Sequence, residues 1–192
     1  GGILANAVPS AEVQQVPFSF RSAAEAHKAM DGALGAYLRE EMAAKGIFGF
    51  PVGVFDNGFR LLTHESFDSM NIIAQYDFVD HKVSVVPNNP STGFGSHGVN
   101  TLSTIGGYRP GQLIGPAFRA DYILARTEND SSETPVEEDN WAAAIQWADS
   151  IGVDVTSTSL GYLGYDSPYT GWTPADMDGN TTLITKAADH AV

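Results

Sequence analysis

The chain has 192 residues, 43% of them hydrophobic and 17% charged, which suffices for one compact domain with a core and excludes a disordered acidic tail. Ten Lys and Arg face 23 Asp and Glu, and the formal charge of −13 argues against nucleic acid or an anionic membrane as a partner. Without cysteine there is no disulfide, thiolate metal site or cysteine nucleophile. The apolar runs are too short to cross a bilayer, and no signal peptide is visible at the start.

The first quarter of the sequence changes character near residue 20. Residues 1–20 contain two prolines and lack helical periodicity, so an extended arm is predicted there. Residues 22–45 are rich in Ala, Glu, Met, Leu and Lys, which predicts one or two helices that end at Gly46. We therefore divide the chain into an arm at 1–20 and a single domain at 21–192.

Beyond Gly46, apolar runs alternate with helical patterns. The predicted elements are a strand over 50–55, a strand over 72–79, a helix over 97–105 capped by Ser96, a strand over 122–125, a helix with a buried face of Trp141, Ala144, Ile145 and Ala148, a strand opening at Val153, and a helix from Thr181 capped by Asn180. Strand, helix and strand at this spacing form a βαβ unit. The fold class is therefore α/β, a mostly parallel sheet with helices on both faces, and we expect it to be incomplete at the C-terminal side.

Two ionisable side chains fall where ligand sites gather in parallel sheets, beyond the carboxyl ends of strands. Asp56 ends the run Val54-Phe55-Asp56, and His97 opens a helix. A carboxylate can hold an imidazole in one tautomer and stabilise its protonated form, as a histidine general base requires. Taken singly, Asp56 is explained as well by an Asp-Asn-Gly turn, and His97 by a helix cap.

Five segments in order resemble the subtilisin-like serine peptidases, or subtilases. Asp56-Asn57-Gly58 resembles their Asp box, and His97-Gly98 resembles their His box. The other three are residues 115–120, which resemble the family's GxAPxA segment, the helix and strand over 141–155, and Thr158-Ser159-Leu160-Gly161, which resembles the substrate-binding edge. The order of Asp before His is also that of subtilases.

The resemblance implies a role for each matched residue. His97 would be the general base of a secreted or periplasmic serine endopeptidase, and Asp56 would orient it. Ser159, Leu160 and Gly161 would pair with the backbone of a polypeptide substrate. No cofactor is implied for the chemistry, and a structural calcium ion is implied only in general, without a site. Residues 1–20 would be a mature N-terminal arm or the remnant of a propeptide.

The nucleophile of the family is not found. Nothing after Gly161 resembles a Gly-Thr-Ser-Met-Ala type motif, and the asparagine of the oxyanion hole also has no counterpart. The resemblance therefore implies the N-terminal portion of a subtilase domain, inactive alone and completed by a C-terminal chain or segment that bears the serine.

Alternative interpretations remain open. Val99 stands where the family commonly has Thr, and Asn57 replaces a hydroxyl, so a pseudo-protease that binds peptides or a partner protein is the second hypothesis. Residues 93–98 match G-x-G-x-x-G, but residues 87–92 separate this motif from a strand, so a dinucleotide site is a weaker third hypothesis. Residues 176–180 begin like a calcium loop but are better explained as a helix cap. The acidic run over 128–139 is interpreted as a solvated loop leading into a helix.

Overall fold

The computed structural model describes residues 25, 33–44 and 51–191, and the chain divides into two compact units, Gly1–Gly49 and Phe50–Val192. In the first unit, helix α1 spans Ala33–Ala44, inside the segment predicted to be helical. The predicted arm and its boundary at residue 20 lie outside the described residues.

The second unit is built on a four-stranded parallel sheet. Its elements in chain order are β1 (Val52–Asp56), β2 (Asn71–Asp77), α2 (Ser96–Gly106), β3 (Tyr108–Arg109), β4 (Leu113–Ile114), β5 (Asp121–Arg126), α3 (Val136–Ile151), β6 (Val155–Thr158) and α4 (Leu183–His190). The strand order is β2-β5-β1-β6 with every pair parallel, and β3 and β4 form a short antiparallel ribbon. The predicted α/β fold with a mostly parallel sheet is confirmed.

Alternate side chains of the central strands build a core on each face of the sheet. Phe55 of β1 packs on the α3 side, where its ring meets Trp141 edge-on at 6.1 Å between centroids. Its neighbour Val54 packs on the opposite side with Leu102 of α2. All four residues of the predicted α3 stripe are buried, and α4 packs against α3. Helices therefore cover both faces, as the fold class predicts.

The predicted helix caps were wrong at two places. Ser96 lies inside α2, and Gly95 takes the cap position in a left-handed conformation, φ 64°, that favours glycine. At α4 the cap is Thr182, whose side chain accepts a hydrogen bond from the Thr185 amide, and Asn180 lies upstream. At α2 the left-handed conformation favours Gly95 over its polar neighbour Ser96, and at α4 several neighbouring polar residues could serve as the cap.

Two strands also have shifted bounds. β2 ends at Asp77 rather than at Val79, because the Asp77 carboxylate accepts the amides of Val79 and Asp80 and turns the chain. β6 begins at Val155 rather than at Val153, whose amide instead donates to the Ala148 carbonyl at the end of α3.

The close approach of α2 to β1 predicts that Gly98→Ala is destabilising. A methyl group at Gly98 would overlap the Gly58 carbonyl oxygen and lie 3.0 Å from Cβ of Asp56. We expect a loss of about 1–3 kcal/mol in the free energy of unfolding, measured with urea. The matched control is Gly164→Ala, because an added Cβ there has no atom within 4 Å. Equal stability of the two variants would contradict this packing.

Candidate active site

The structure brings Asp56 and His97 together. Asp56 is the last residue of β1, and His97 lies in the first turn of α2. Nδ1 of His97 lies 2.7 Å from Oδ1 of Asp56. The Asp56 side chain is fully buried whereas the imidazole is 51% exposed, so the carboxylate lies behind the ring and the ring faces solvent. If Nδ1 donates to the carboxylate, Nε2 is free to accept a proton.

The Asp56 carboxylate is held by two further donors. Its Oδ1 accepts the Asn57 amide at 2.8 Å, and its Oδ2 accepts the hydroxyl of Thr101 at 2.9 Å. The sequence analysis did not single out Thr101, although it lies one helical turn after His97. Thr101 places a hydroxyl beside the pair, whereas Val99, which stands where the family commonly has Thr, packs against the core.

Asn57 links the strand, the helix and the loop after β5. Its Oδ1 accepts the Gly98 amide at 2.9 Å, and its Nδ2 donates to Asp130 at 2.6 Å. The other Asp130 oxygen accepts the Phe94 amide at 3.0 Å. A carboxylate thus already occupies the glycine-rich loop at residues 93–98, which is unfavourable for a dinucleotide phosphate. The Asn57 side chain therefore holds the start of α2 and the loop after β5 close to the end of β1.

Arg126 supports the site through hydrogen bonds to several loops, and the sequence analysis did not identify it. It is fully buried at the end of β5, and its Nη1 donates to Asp77 at 3.0 Å and to Asp80 at 2.8 Å. Its Nε donates to the Asn57 carbonyl, and its Nη2 to the Thr92 carbonyl. One guanidinium therefore ties together the carboxyl ends of β1, β2 and β5 and the loop that precedes α2. The only signal in the sequence is a charge at the end of an apolar strand.

His97 and the predicted substrate edge face the same cleft, which has a volume of about 350 Å³. Its lining residues are Asn57, His97, Glu128, Asn129, Asp130, Glu133, Ser159, Leu160 and Gly161. β6 ends at Thr158, so residues 159–161 extend past the strand rather than belonging to it.

A family model described as "Subtilase family" matches residues 48–190. The chain belongs to the subtilase family. A second model, for bacterial extracellular solute-binding proteins of family 7, matches residues 1–74, which is less than half of the chain. No curated protein matches the sequence.

Solved structures with the same fold are subtilisin-like. Fervidolysin from Fervidobacterium pennivorans, a keratinolytic enzyme related to subtilisin, is 23% identical with a TM-score of 0.52, over 74% of this chain and 19% of its own. A cold-adapted subtilisin-like serine proteinase is 22% identical with a TM-score of 0.50, over 75% and 42%. MycP1 without its N-terminal propeptide is 21% identical with a TM-score of 0.51, over 82% and 44%. The chain spans less than half the length of each, and at these identities the likeness concerns the fold.

Buried glutamates connect the segment after residues 159–161 to the loop after β5 and to α3. Glu128 accepts the hydroxyls of Tyr162 and Thr127. Glu138 accepts hydrogen bonds from the Tyr165 hydroxyl, from the Trp172 indole at 2.5 Å and from the Ile184 amide at 3.1 Å. Glu137 accepts hydrogen bonds from the backbone amides of Asn129 and Thr134. The prediction of a solvated acidic loop over 128–139 was therefore wrong for these three carboxylates, which are buried because aromatic and backbone donors surround them.

Two of these acids predict how stability depends on pH. Burial raises the pKa of Glu128 and of Glu137 to about 7, from 4.5. The folded protein therefore holds protons that the unfolded chain has released between pH 4.5 and 7, so the free energy of unfolding falls as pH rises through this window. We expect a decrease on the order of 3 kcal/mol between pH 5 and 8 in urea titrations.

Two sets of variants test this origin of the pH dependence. Glu128→Gln combined with Glu137→Gln should flatten the slope, whereas Glu65→Gln, at a side chain that is 57% exposed, should leave it unchanged. A slope that persists in the double variant would contradict the assignment.

No three His, Asp or Glu side chains converge as metal ligands among residues 33–44 and 51–191. In the loop at 176–180, Asp176 accepts the Thr173 amide and Asp178 accepts the amides of Asn180 and Thr181. These carboxylates bind the chain's own backbone, in keeping with a capping loop. In the part of the chain that is described, no helix is long and apolar enough to cross a membrane.

Proposed function

We propose that this chain supplies the general base and the substrate-binding edge of a subtilisin-type serine endopeptidase. His97 is the base, and Asp56 is the residue that positions it. The observation that carries the proposal is the 2.7 Å contact between a fully buried carboxylate and a half-exposed imidazole. This imidazole lines a cleft together with Ser159, Leu160 and Gly161.

The proposed reaction uses these groups in order. A polypeptide lies along residues 159–161 and forms backbone hydrogen bonds as an added strand. A serine hydroxyl at Nε2 of His97 transfers its proton to the imidazole while its oxygen attacks the carbonyl carbon of the substrate. Asp56 stabilises the imidazolium through Nδ1, and the proton passes to the amine as the peptide C–N bond breaks and an acyl-serine forms. The imidazole then takes a proton from water, whose oxygen attacks the acyl carbon, and the acid product and the serine hydroxyl are released. Side chains alone perform this chemistry, so no cofactor is needed, and no site is assigned to a structural calcium ion.

The serine and the oxyanion-hole amide are assigned to a complementary C-terminal segment or chain. No motif of the Gly-Thr-Ser-Met-Ala type follows Gly161. Residues 1–192 alone would then have no peptidase activity, because both the attacking oxygen and the oxyanion donor are missing. We place the assembled protease outside the cytoplasm, as a secreted or periplasmic enzyme, and the similarity of residues 1–74 to extracellular solute-binding proteins supports this compartment.

A binding module without catalysis is less favoured by the geometry. Such a module would need neither an exposed imidazole nor a buried carboxylate behind it. The departures that suggested it leave the pair intact, because Asn57 forms hydrogen bonds of its own and Val99 packs against the core.

Casein hydrolysis tests the proposal. Material purified under native conditions from cells that make the protein should hydrolyse casein, and residues 1–192 isolated after denaturation and refolding should not. The refolded chain should still bind a peptide in the cleft, as measured by fluorescence anisotropy. Native material that is devoid of peptidase activity and bears no second polypeptide would contradict the proposal.

A further inference from the structure

The two oxygens of the Asp56 carboxylate have different donors. Oδ1 lies 2.7 Å from Nδ1 of His97 and accepts the Asn57 amide at 2.8 Å. Oδ2 accepts the hydroxyl of Thr101 at 2.9 Å. The Asp56 side chain is fully buried, and among residues 51–191 no second donor to Oδ2 is found. Thr101 is therefore the group that keeps this charged oxygen from being buried without a partner.

His97 and Thr101 approach the carboxylate from the same helix. They stand at positions i and i+4 of α2, so their side chains lie on one face, one turn apart. Each of them contacts a different oxygen of Asp56. A carboxylate held at one oxygen alone can still turn about its Cβ–Cγ bond, because that torsion is soft. Contacts at both oxygens from one rigid helix fix the plane of the carboxylate relative to the imidazole.

The Thr101 hydroxyl has a second acceptor within reach, the Gly98 carbonyl at 3.0 Å. Threonines inside helices commonly form this contact, and exposed Thr104 donates in the same way to the Thr101 carbonyl at 2.8 Å. The hydroxyl carries a single proton, and an ionised carboxylate accepts it more strongly than a carbonyl group does. The hydrogen bond to Asp56 is therefore the favoured one while the carboxylate is charged.

We propose that Thr101 is a positioning residue for the His97 base. Its hydroxyl holds the plane of the Asp56 carboxylate, so that Oδ1 stays aligned with Nδ1 while the imidazole takes up a proton and passes it on. Thr101 acts on the reaction through Asp56. This inference rests on the proposed function, because the alignment affects a rate only where His97 serves as a base.

Hydrolysis of a fluorogenic peptide, by enzyme that contains this chain and its serine-bearing complement, tests the role. Thr101→Val keeps the shape of the side chain and removes the hydroxyl, and we expect kcat to fall about 10- to 100-fold with KM little changed. Thr101→Ser keeps the hydroxyl and should stay within about threefold of wild type. Thr104→Val is the matched control, because it removes a hydroxyl of the same helix that donates to a carbonyl, and it should leave both constants unchanged.

A second measurement requires no activity. Proton NMR of residues 1–192 observes the Nδ1 proton of His97 in its hydrogen bond to Asp56. Thr101→Val should shift or broaden this resonance, because the accepting carboxylate is no longer fixed, whereas Thr101→Ser and Thr104→Val should leave it in place. If Thr101→Val does not fold, by circular dichroism, Thr101→Ala takes its place, because alanine also lacks the hydroxyl and is the best helix former.

The outcomes separate this inference from the proposed function. Wild-type enzyme that is devoid of peptidase activity overturns the proposed function, and the positioning role with it. An active enzyme in which Thr101→Val keeps its kcat, or in which Thr101→Ser loses as much as Thr101→Val, overturns the inference and leaves His97 as the base. An Nδ1 resonance that does not change in Thr101→Val also overturns the inference.

Discussion

His97→Ala is expected to lower kcat of the assembled protease about 10⁶-fold, because it removes the imidazole that Asp56 positions to take the proton of an attacking hydroxyl. Asp56→Asn should lower kcat about 10⁴-fold, because an amide neither favours the required imidazole tautomer nor stabilises the imidazolium. KM should change little in both variants, since neither residue belongs to the edge at 159–161. Hydrolysis of a fluorogenic peptide by enzyme that contains this chain and its serine-bearing complement measures both effects.

A control and an independent readout distinguish catalysis from structural damage. His81→Asn replaces an exposed histidine at φ 52° by a residue that tolerates this conformation, and it should retain wild-type activity. In residues 1–192, proton NMR should show a downfield Nδ1 resonance of His97 that Asp56→Asn removes. Activity of His97→Ala within tenfold of wild type would contradict its role as the base.

Arg126→Met is expected to cause the largest loss of stability, about 3–5 kcal/mol in the free energy of unfolding. Asp77 and the guanidinium are both fully buried, so the variant leaves the buried Asp77 carboxylate with only the Lys82 ammonium, 3.7 Å away, as a cationic partner. The carbonyl groups of Asn57 and Thr92 also lose their donors. Urea denaturation monitored by tryptophan fluorescence measures the loss.

Two companion variants define what the guanidinium does. Arg126→Lys should recover part of the stability, because it retains the charge but not the planar set of donors. Arg119→Met removes an exposed arginine that lies over the Phe118 ring and should cost less than about 1 kcal/mol. A loss of less than about 1 kcal/mol in the free energy of unfolding of Arg126→Met would contradict the proposal that Arg126 holds the ends of three strands together.

The sequence located the Asp56 and His97 pair because both positions carry local signals. An apolar strand followed by Asp-Asn-Gly marks a strand end, and a glycine-flanked histidine before a helical pattern marks a helix start. That these two ends are adjacent follows from the parallel topology, which the βαβ spacing also predicted. Pattern alone thus predicts the fold class and places both residues at element ends, whereas their interpretation as a catalytic pair came from the resemblance to subtilases.

The supporting residues were not accessible in this way. Thr101 and Arg126 act through partners 45 and 49 positions away, so no local pattern reports them. The sequence predicted that Glu128, Glu137 and Glu138 are solvated, yet they are buried because hydroxyl, indole and amide donors from the loop between β5 and α3, the loop after β6 and α4 surround them. The helix caps were predicted wrongly for a different reason, because adjacent Ser, Thr, Asn and Gly residues compete for one cap position.

Fluorophosphonate labelling, read by intact mass under denaturing conditions, tests most directly that this chain serves a serine nucleophile. In material purified natively from the cells that make the protein, we predict a second polypeptide that co-purifies with residues 1–192, or a longer polypeptide that contains them, bearing one label. His97→Ala should abolish the labelling. A single unlabelled species of 20.4 kDa, or labelling that persists without the imidazole, would contradict the account.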